Sequence, residues 1–278
     1  MKVLLEILRP FNCLMAGAAA IIGLLIAGGF DAKASALIFL AVFLITGAGN
    51  AINDYYDREI DAVNRPTRPL PSGRISPRDA LSYSLTLFAA GCILAGLVNQ
   101  LCLAVAALNS VLLFFYARNL KATPLAGNLC VAYLTGSTFL FGGAAYGLPG
   151  MEANLVPAGL SFLATMSREI AKDIEDVEGD RKGGAKTLPI LAGEKISAAL
   201  AAAFALAGVA LSYLPHFGTA YLLIVTAADL FLLSSVWKII KGDASGSQKA
   251  LKMGMAVALL AFLAAALAQA QNAHLWAK

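Results

Sequence analysis

The chain has 278 residues, 59% of them hydrophobic and only 14% charged, with a mean hydropathy of +0.73. These values lie outside the range of soluble globular domains and describe a polytopic membrane protein. The formal net charge of +4 is too slight to suggest a nucleic-acid partner, so the basic residues are assigned to loops at the membrane surface.

Apolar stretches near the ~20 residues that span a bilayer run over 10–29, 35–53, 80–97, 99–116, 126–147, 153–171, 195–214, 217–237 and 250–272. They predict an all-α protein of about nine transmembrane helices. The first stretch follows only nine residues, and no small-residue cleavage site marks it as a removable signal. With the N-terminus in the cytoplasm, 19 of the 21 Lys and Arg lie on the cytoplasmic side, leaving Lys33 and Lys278 outside. The positive-inside rule therefore predicts the N-terminus inside and the C-terminus outside. Cys13, Cys92, Cys102 and Cys130 are scattered singly through apolar stretches, a pattern of neither a disulfide framework nor a zinc site.

Two connections differ from the rest. The segments 58–79 and 177–194 are long and densely charged, whereas the outer connections are short and nearly uncharged. Function is therefore expected on the cytoplasmic side. Each charged segment follows an acidic triplet, Asp54, Asp57 and Asp61 in one case and Asp173, Asp176 and Asp180 in the other, at one common offset of 119 residues. On a helix, positions i, i+3 and i+7 share a face. Three carboxylates crowded at the end of an apolar segment are costly unless a divalent cation and its anionic ligand sit among them, so the pair of faces reads as a diphosphate clamp. The repeat extends further, because Arg68-Pro69-Leu70-Pro71 resembles Lys186-Thr187-Leu188-Pro189 with a one-residue slip, which suggests an internal duplication.

Other groups suited to phosphate chemistry stand nearby. Asn50 and Asn53 border the first face, followed by Arg65, Arg68 and Arg74, while Arg168, Lys172, Arg181, Lys182 and Lys186 surround the second. Magnesium bridging carboxylates to phosphate oxygens, with arginine and lysine on the remaining oxygens, is the recurring arrangement for a diphosphate leaving group.

The run Asn53-Asp54-Tyr55-Tyr56-Asp57-Arg58-Glu59-Ile60-Asp61, followed by Asn64-Arg65-Pro66 and Arg68-Pro69-Leu70-Pro71-Ser72-Gly73, closely resembles the first signature of the UbiA-type intramembrane prenyltransferases. Asp173, Asp176 and Asp180 match the second signature, and Tyr116 and Lys121 match the motif between them. The run from Arg168 to Asp180, ending at Lys186-Thr187-Leu188-Pro189, is similar to the archaeal ether-lipid branch, the digeranylgeranylglyceryl phosphate synthases. The resemblance implies one transmembrane domain over 1–278, with helices enclosing a central cavity. It also implies transfer of a geranylgeranyl group from geranylgeranyl diphosphate to the sn-2 hydroxyl of geranylgeranylglyceryl phosphate, assisted by Mg2+. The implied metal and diphosphate set is Asn50, Asp54, Asp57, Asp61, Asp173, Asp176 and Asp180, supported by Asn53 and Lys172. Tyr116, Lys121, Arg65 and Arg68 are implied contacts to diphosphate or acceptor phosphate, with Arg118 and Asn128 as weaker candidates.

Some features remain open at this point. Asp229, inside the eighth span, is either a cavity acid or a hydrogen-bonded tie between helices. Gly136, Ser137, Gly142, Gly143 and Gly147, beside Phe139, Phe141 and Tyr146, suit close helix packing better than carbocation stabilisation. Arg9 and Asn12 stand at the start of the first span, near an acceptor headgroup or as interface anchors. Arg65, Arg68, Lys121 and Arg9 are expected to flank the acidic faces without sharing them, and so to serve the acceptor phosphate. The rival functions are an aromatic acceptor at the same metal site and a divalent-cation carrier. Cysteine placed at Ser72 or Gly184 is expected to label with an impermeant thiol reagent from the cytoplasmic side only, and cysteine at Lys33 from outside only. The reverse pattern overturns the orientation.

Overall fold

The computed structural model describes residues 2–215 and 217–276, with side chains as far as 268. All regular structure among the described residues is helical. In order the helices are α1 (Lys2–Leu8), α2 (Pro10–Gly28), α3 (Ala32–Tyr56), α4 (Arg58–Asn64), α5 (Pro77–Val98), α6 (Gln100–Arg118), α7 (Ala126–Ala144), α8 (Gly147–Ala153), α9 (Leu155–Glu175), α10 (Val177–Lys182), α11 (Leu188–Ala192), α12 (Glu194–Leu211), α13 (Gly218–Ile240) and α14 (Ala244–Trp276). Local chemistry marks several starts. Proline opens α2 and α5 at positions that need no N–H donor. The side chains of Asp31, Ser76 and Asn99 accept from the amides of Ala34, Asp79 and Cys102, at 2.6, 3.1 and 2.8 Å, capping α3, α5 and α6.

Among the described residues, seven helices are long and apolar enough to cross a membrane: α2, α3, α5, α6, α12, α13 and the Ala244–Ala268 part of α14. The fifth and sixth predicted spans are present as α7 and α9, yet they fall short of that standard. Polar groups are the reason: α7 carries Asn128, Thr135, Ser137 and Thr138, and α9 carries Arg168, Glu169, Lys172 and Asp173. Several of these, including Asn128, Ser137 and Glu169, are buried, where polar groups at membrane depth belong. Leucines on α5, α6, α12 and α13 stand exposed, as lipid-facing side chains do.

The chain forms two compact units, Met1–Leu120 with Thr138–Glu152, and Lys121–Ser137 with Ala153–Lys278. In the first, α3 is central and packs on α2, α5 and α6, burying Ile38, Ala41, Val42, Ile45, Ala48 and Ile52. Small residues permit very close backbones. A side chain at Gly142 would meet the backbone of Ala20 and Leu24 in α2. In the second unit α9 packs on α12 and α14, and α13 on α14, around Met166, Ile170, Ala201, Ala205, Leu232 and Leu251. Gly136 lies against the Ala158 carbonyl there, 2.6 Å from where a Cβ would stand. Phe139 and Phe141 are buried core residues. The glycine and aromatic stretch of α7 is thus used for packing.

Helix order along the chain repeats at the offset of the acidic triplets. Shifted by 119 residues, α2, α3, α4, α5 and α6 fall on α7, α9, α10, α12 and α13, which extends the repeat from short motifs to whole helices. α14 has no counterpart.

Gly142→Ala is expected to destabilise the protein by about 1–3 kcal/mol, because backbone has to move to admit the methyl group. Gly159, in α9, has no heavy atom within 4 Å of a Cβ position, and Gly159→Ala is expected to leave stability unchanged or raise it. Thermal unfolding of both variants in detergent distinguishes them.

Candidate active site

The first acidic face lies in the first unit, where α3 gives way to α4. Asp57 stands at the junction with φ −85 and ψ −1, a sparsely used region that breaks helix regularity. Its amide still donates to the Asn53 carbonyl at 2.9 Å, and the Asp61 amide to the Asp57 carbonyl at 2.8 Å. The three acids therefore share one side across a kinked helix rather than the continuous one predicted. Asp54 and Asp61 are 3% and 6% exposed, and two arginines satisfy them. Arg9 ion-pairs with Asp54, and Arg68 Nη1 donates to Asp54 Oδ1 at 3.2 Å and Asp61 Oδ2 at 2.5 Å.

Each arginine is held in place. Arg9 occupies the left-handed region, φ 52 and ψ 68, directly before Pro10 of α2, a conformation a non-glycine residue keeps only when its surroundings require it. Arg68 sits in a loop pinned by Arg74, whose guanidinium donates to Glu6 Oε2 and Oε1 at 2.6 and 2.8 Å and to the Thr67 carbonyl at 2.5 Å. The hydrogen bond from Arg74 holds the Glu6 carboxyl below its usual pKa. Beneath the loop, Leu70 and Ile75 pack with Ile7, Ala51 and Ala80. Asn50 donates to the Leu8 carbonyl at 2.7 Å, closing the end of α1. Asn53 donates to Asp57 Oδ2 at 2.8 Å, while its own amide oxygen is buried and has no hydrogen-bond partner.

The second face lies in the second unit, between α9 and α10. Asp176 takes the junction with φ −92 and ψ 3, nearly the geometry of Asp57. Its amide donates to the Lys172 carbonyl and the Asp180 amide to the Asp176 carbonyl, both at 2.9 Å. Asn128 Nδ2 donates to Asp173 Oδ2 at 2.8 Å. The Thr187 hydroxyl, 4% exposed, makes no well-aligned hydrogen bond, but lies close enough to Asp180 to favour its charged form. Burial outweighs that help and, with the neighbouring Asp176 carboxylate, pushes the Asp180 pKa up. The Lys186 amide donates to the Ala122 carbonyl at 3.0 Å, tying down the loop, and Arg168 pairs with Glu169.

The two faces are built alike and charged differently. Arg9 and Asp54 are 45 residues apart, and so are Asn128 and Asp173. An offset of 119 carries the first pair onto the second, and Arg68 beside Asp61 onto Thr187 beside Asp180. The register is unslipped for these donors, in contrast to the one-residue slip read from the loop sequences.

The expectation that Arg9 and Arg68 flank the acids without sharing them is therefore corrected: both are bound directly to Asp54. Arg65 and Arg118 are exposed, Tyr116 lies half-buried in α6, and Lys121 is half-buried in a short 3-10 turn. Asn128 contacts the second face, a place its sequence position alone did not single out. Asp229 accepts from the Ser212 hydroxyl at 2.8 Å, and Tyr221 donates to the Ser212 carbonyl at 2.8 Å. This acid is a tie between the end of α12 and α13.

Among the described residues no three His, Cys, Asp or Glu side chains converge on one point. Magnesium does not require that, since it is commonly held by one or two carboxylates, waters and substrate phosphate oxygens. The donors present are hard oxygens: carboxylates and, at Asn53, a buried amide oxygen lacking a partner. They fit such an ion.

Residues 16–264 match the UbiA prenyltransferase family, and the chain belongs to that family. It is 56% identical over 262 residues to a digeranylgeranylglyceryl phosphate synthase of Methanothrix thermoacetophila, covering 94% of this chain and 97% of that protein. The corresponding enzyme of Thermococcus kodakarensis is 44% identical, with 96% and 98% covered. Among solved structures, a digeranylgeranylglyceryl phosphate synthase superposes with a TM-score of 0.83 at 39% identity, covering 95% of this chain and 98% of the other. A UbiA homolog from Archaeoglobus fulgidus bound to GPP and Mg2+ shares the fold, with a TM-score of 0.69 at 19% identity and 92% and 99% covered.

Asn128→Ala is expected to cost about 1.5–3 kcal/mol, the range for a hydrogen bond to a charged group. Denaturant or thermal unfolding in detergent measures it. A change within error shows that Asn128 does not support Asp173.

Proposed function

We propose that the chain transfers a geranylgeranyl group from geranylgeranyl diphosphate to the sn-2 hydroxyl of geranylgeranylglyceryl phosphate, giving digeranylgeranylglyceryl phosphate. The observation that carries this reading is the nearly full-length identity, 44% to 56%, with relatives of that name, together with both acidic faces. The metal is Mg2+, in keeping with the ion bound in the Archaeoglobus fulgidus homolog. The site faces the cytoplasm in a nine-span topology, with the N-terminus inside and the C-terminus outside. The charge asymmetry of the loops supports that orientation.

An alcohol is a weak nucleophile, so the demanding step is breaking the allylic carbon–diphosphate bond. A bound divalent cation neutralises charge on the departing diphosphate. Asp54, Asp57 and Asp61, with Asn50 and Asn53 beside them, and Asp173, Asp176 and Asp180 are the groups that would hold divalent metal. Lys172 takes diphosphate oxygens. Asn128 orients Asp173 through its hydrogen bond. Tyr116, Lys121 and Arg65 are assigned to diphosphate or acceptor phosphate. Arg9 and Arg68 reach phosphate only by leaving Asp54.

Purified protein given geranylgeranyl diphosphate, Mg2+ and competing acceptors is expected to yield the doubly prenylated glycerophosphate by mass spectrometry. Preference for 4-hydroxybenzoate instead overturns the acceptor while leaving the prenyltransferase class intact. Asp54→Ala and Asp173→Ala are each expected to abolish transfer, as is excess chelator. Arg65→Gln or Lys121→Gln is expected to raise KM for the glycerophosphate lipid about 10- to 100-fold, the equivalent of one charge-assisted hydrogen bond, and that for the prenyl diphosphate much less. Equal weakening of both substrates removes these two residues from the acceptor site.

A further inference from the structure

The two acidic faces have the same backbone and the same donor positions, but their donors differ in charge. In the first, Asp54 and Asp61 meet Arg9 and Arg68, so two carboxylates face two guanidiniums. In the second, Asp173 and Asp180 meet the neutral side chains of Asn128 and Thr187. Lys172 is near both acids there but forms no ion pair within 4.0 Å with either. Asp176 adds a third negative charge here, as Asp57 does in the first face, so the difference lies in the two guanidiniums. Each face keeps one buried polar atom without a well-aligned partner, the Asn53 amide oxygen in the first and the Thr187 hydroxyl in the second.

We propose that Arg9 and Arg68 are built-in counter-ions that hold the first acidic face closed to metal until diphosphate arrives, so that the second face takes its divalent cation first. The inference rests on the metal-assisted reading above and adds an order to it. A dication approaching Asp54 is opposed by two guanidiniums that both hold Oδ1 of the carboxylate, in a buried setting where charges are weakly screened. A dication approaching Asp173 is opposed by none, and meets excess negative charge. Diphosphate changes the balance at the first face, because its oxygens offer the displaced guanidiniums planar, charge-assisted partners. Arg9 and Arg68 are thus positioning residues that move from carboxylate to phosphate when the metal and diphosphate enter together.

The test is Mn2+ binding to the detergent-purified full chain without any prenyl substrate, followed by the loss of the free-ion electron paramagnetic resonance signal. Wild-type protein is expected to bind Mn2+ at a site that Asp173→Asn or Asp176→Asn weakens by about tenfold or more and that Asp54→Asn leaves unaltered. The double variant Arg9→Asn and Arg68→Thr, which copies the second face, is expected to gain one Mn2+ site that Asp54→Asn removes again. Equal sensitivity of wild-type binding to Asp54→Asn and Asp173→Asn overturns the order. So does an absence of Mn2+ binding by wild type, or a double variant that retains the Asp173-dependent site and gains no other. If the double variant does not fold, the wild-type comparison of Asp54→Asn with Asp173→Asn decides alone. No acceptor is present, so this result stands apart from product analysis: a failed lipid assignment leaves the Mn2+ order intact, and a failed Mn2+ order leaves the lipid assignment intact.

Discussion

A buried carboxylate at the end of an apolar helix has to be compensated, because leaving it charged and unpaired in a poorly solvated place costs several kcal/mol. Asp54 sets that condition in the first unit and is met by Arg9 and Arg68. Much of the surrounding structure follows from placing those two guanidiniums. Arg9 reaches Asp54 from the link between α1 and α2, with its backbone in a left-handed conformation. Arg68 reaches it from a loop whose own position depends on Arg74 and Glu6 across 68 residues of sequence, and on Leu70 and Ile75 buried beneath. Gly73, at φ +71, allows the turn that brings the Arg74 amide back to the Pro69 carbonyl at 3.0 Å. The exposed Arg74–Glu6 pair is individually weak in water, so the loop's firmness comes from several donors and a small apolar core acting together.

The spans and the acidic triplets were legible because each leaves a local mark. Apolar runs near bilayer length and carboxylates at i, i+3 and i+7 need no knowledge of distant residues. The kinks at Asp57 and Asp176 left no such mark, since neither proline nor glycine occupies the junctions and local propensity favours a continuous helix. Contacts across 45 residues, Arg9 to Asp54 and Asn128 to Asp173, depend on how helices pack and were invisible to a window-based reading. A signal for them did exist. The offset that aligns the acids also aligns Arg9 with Asn128 and Arg68 with Thr187, and applying it to every polar residue would have exposed the correspondence. Asp229 shows the opposite limit: an acid inside an apolar span is a functional candidate by default, and only its hydrogen bond to Ser212 identifies it as a tie.

The hydropathy standard separates α7 and α9 from the other long helices for a reason connected with chemistry. These are the repeat partners of α2 and α3, and α9 carries four charged residues, Arg168, Glu169, Lys172 and Asp173, where α3 carries Gly49, Asn50, Asn53 and the single charge of Asp54. A helix facing lipid cannot accept such residues without large cost, whereas one whose polar side chains are covered by protein can. α9 is covered by α12 and by α14. α14 is the long helix that lies outside the repeat, and its Gln248 donates to Glu175 at 2.7 Å near the end of α9. The unpaired helix thus shields the more polar half of the repeat.

The repeat at 119 residues relates the geometry of the two faces, but it does not say why one is neutralised and the other is not. Two identical faces with arginines would each resist a dication. Without its arginines the first face would hold three carboxylates with no bound counter-ion, at an electrostatic cost to the metal-free fold. Keeping arginines on one copy and neutral donors on the other lowers that cost at Asp54 and Asp61 while leaving Asp173, Asp176 and Asp180 attractive to a cation. On the proposed order of binding, the same arginines would then meet the arriving phosphate, and one pair of side chains would serve both the empty fold and the substrate. Backbone geometry is alike at the two junctions, and the difference in charge lies in the side chains at positions 9 and 128, and 68 and 187.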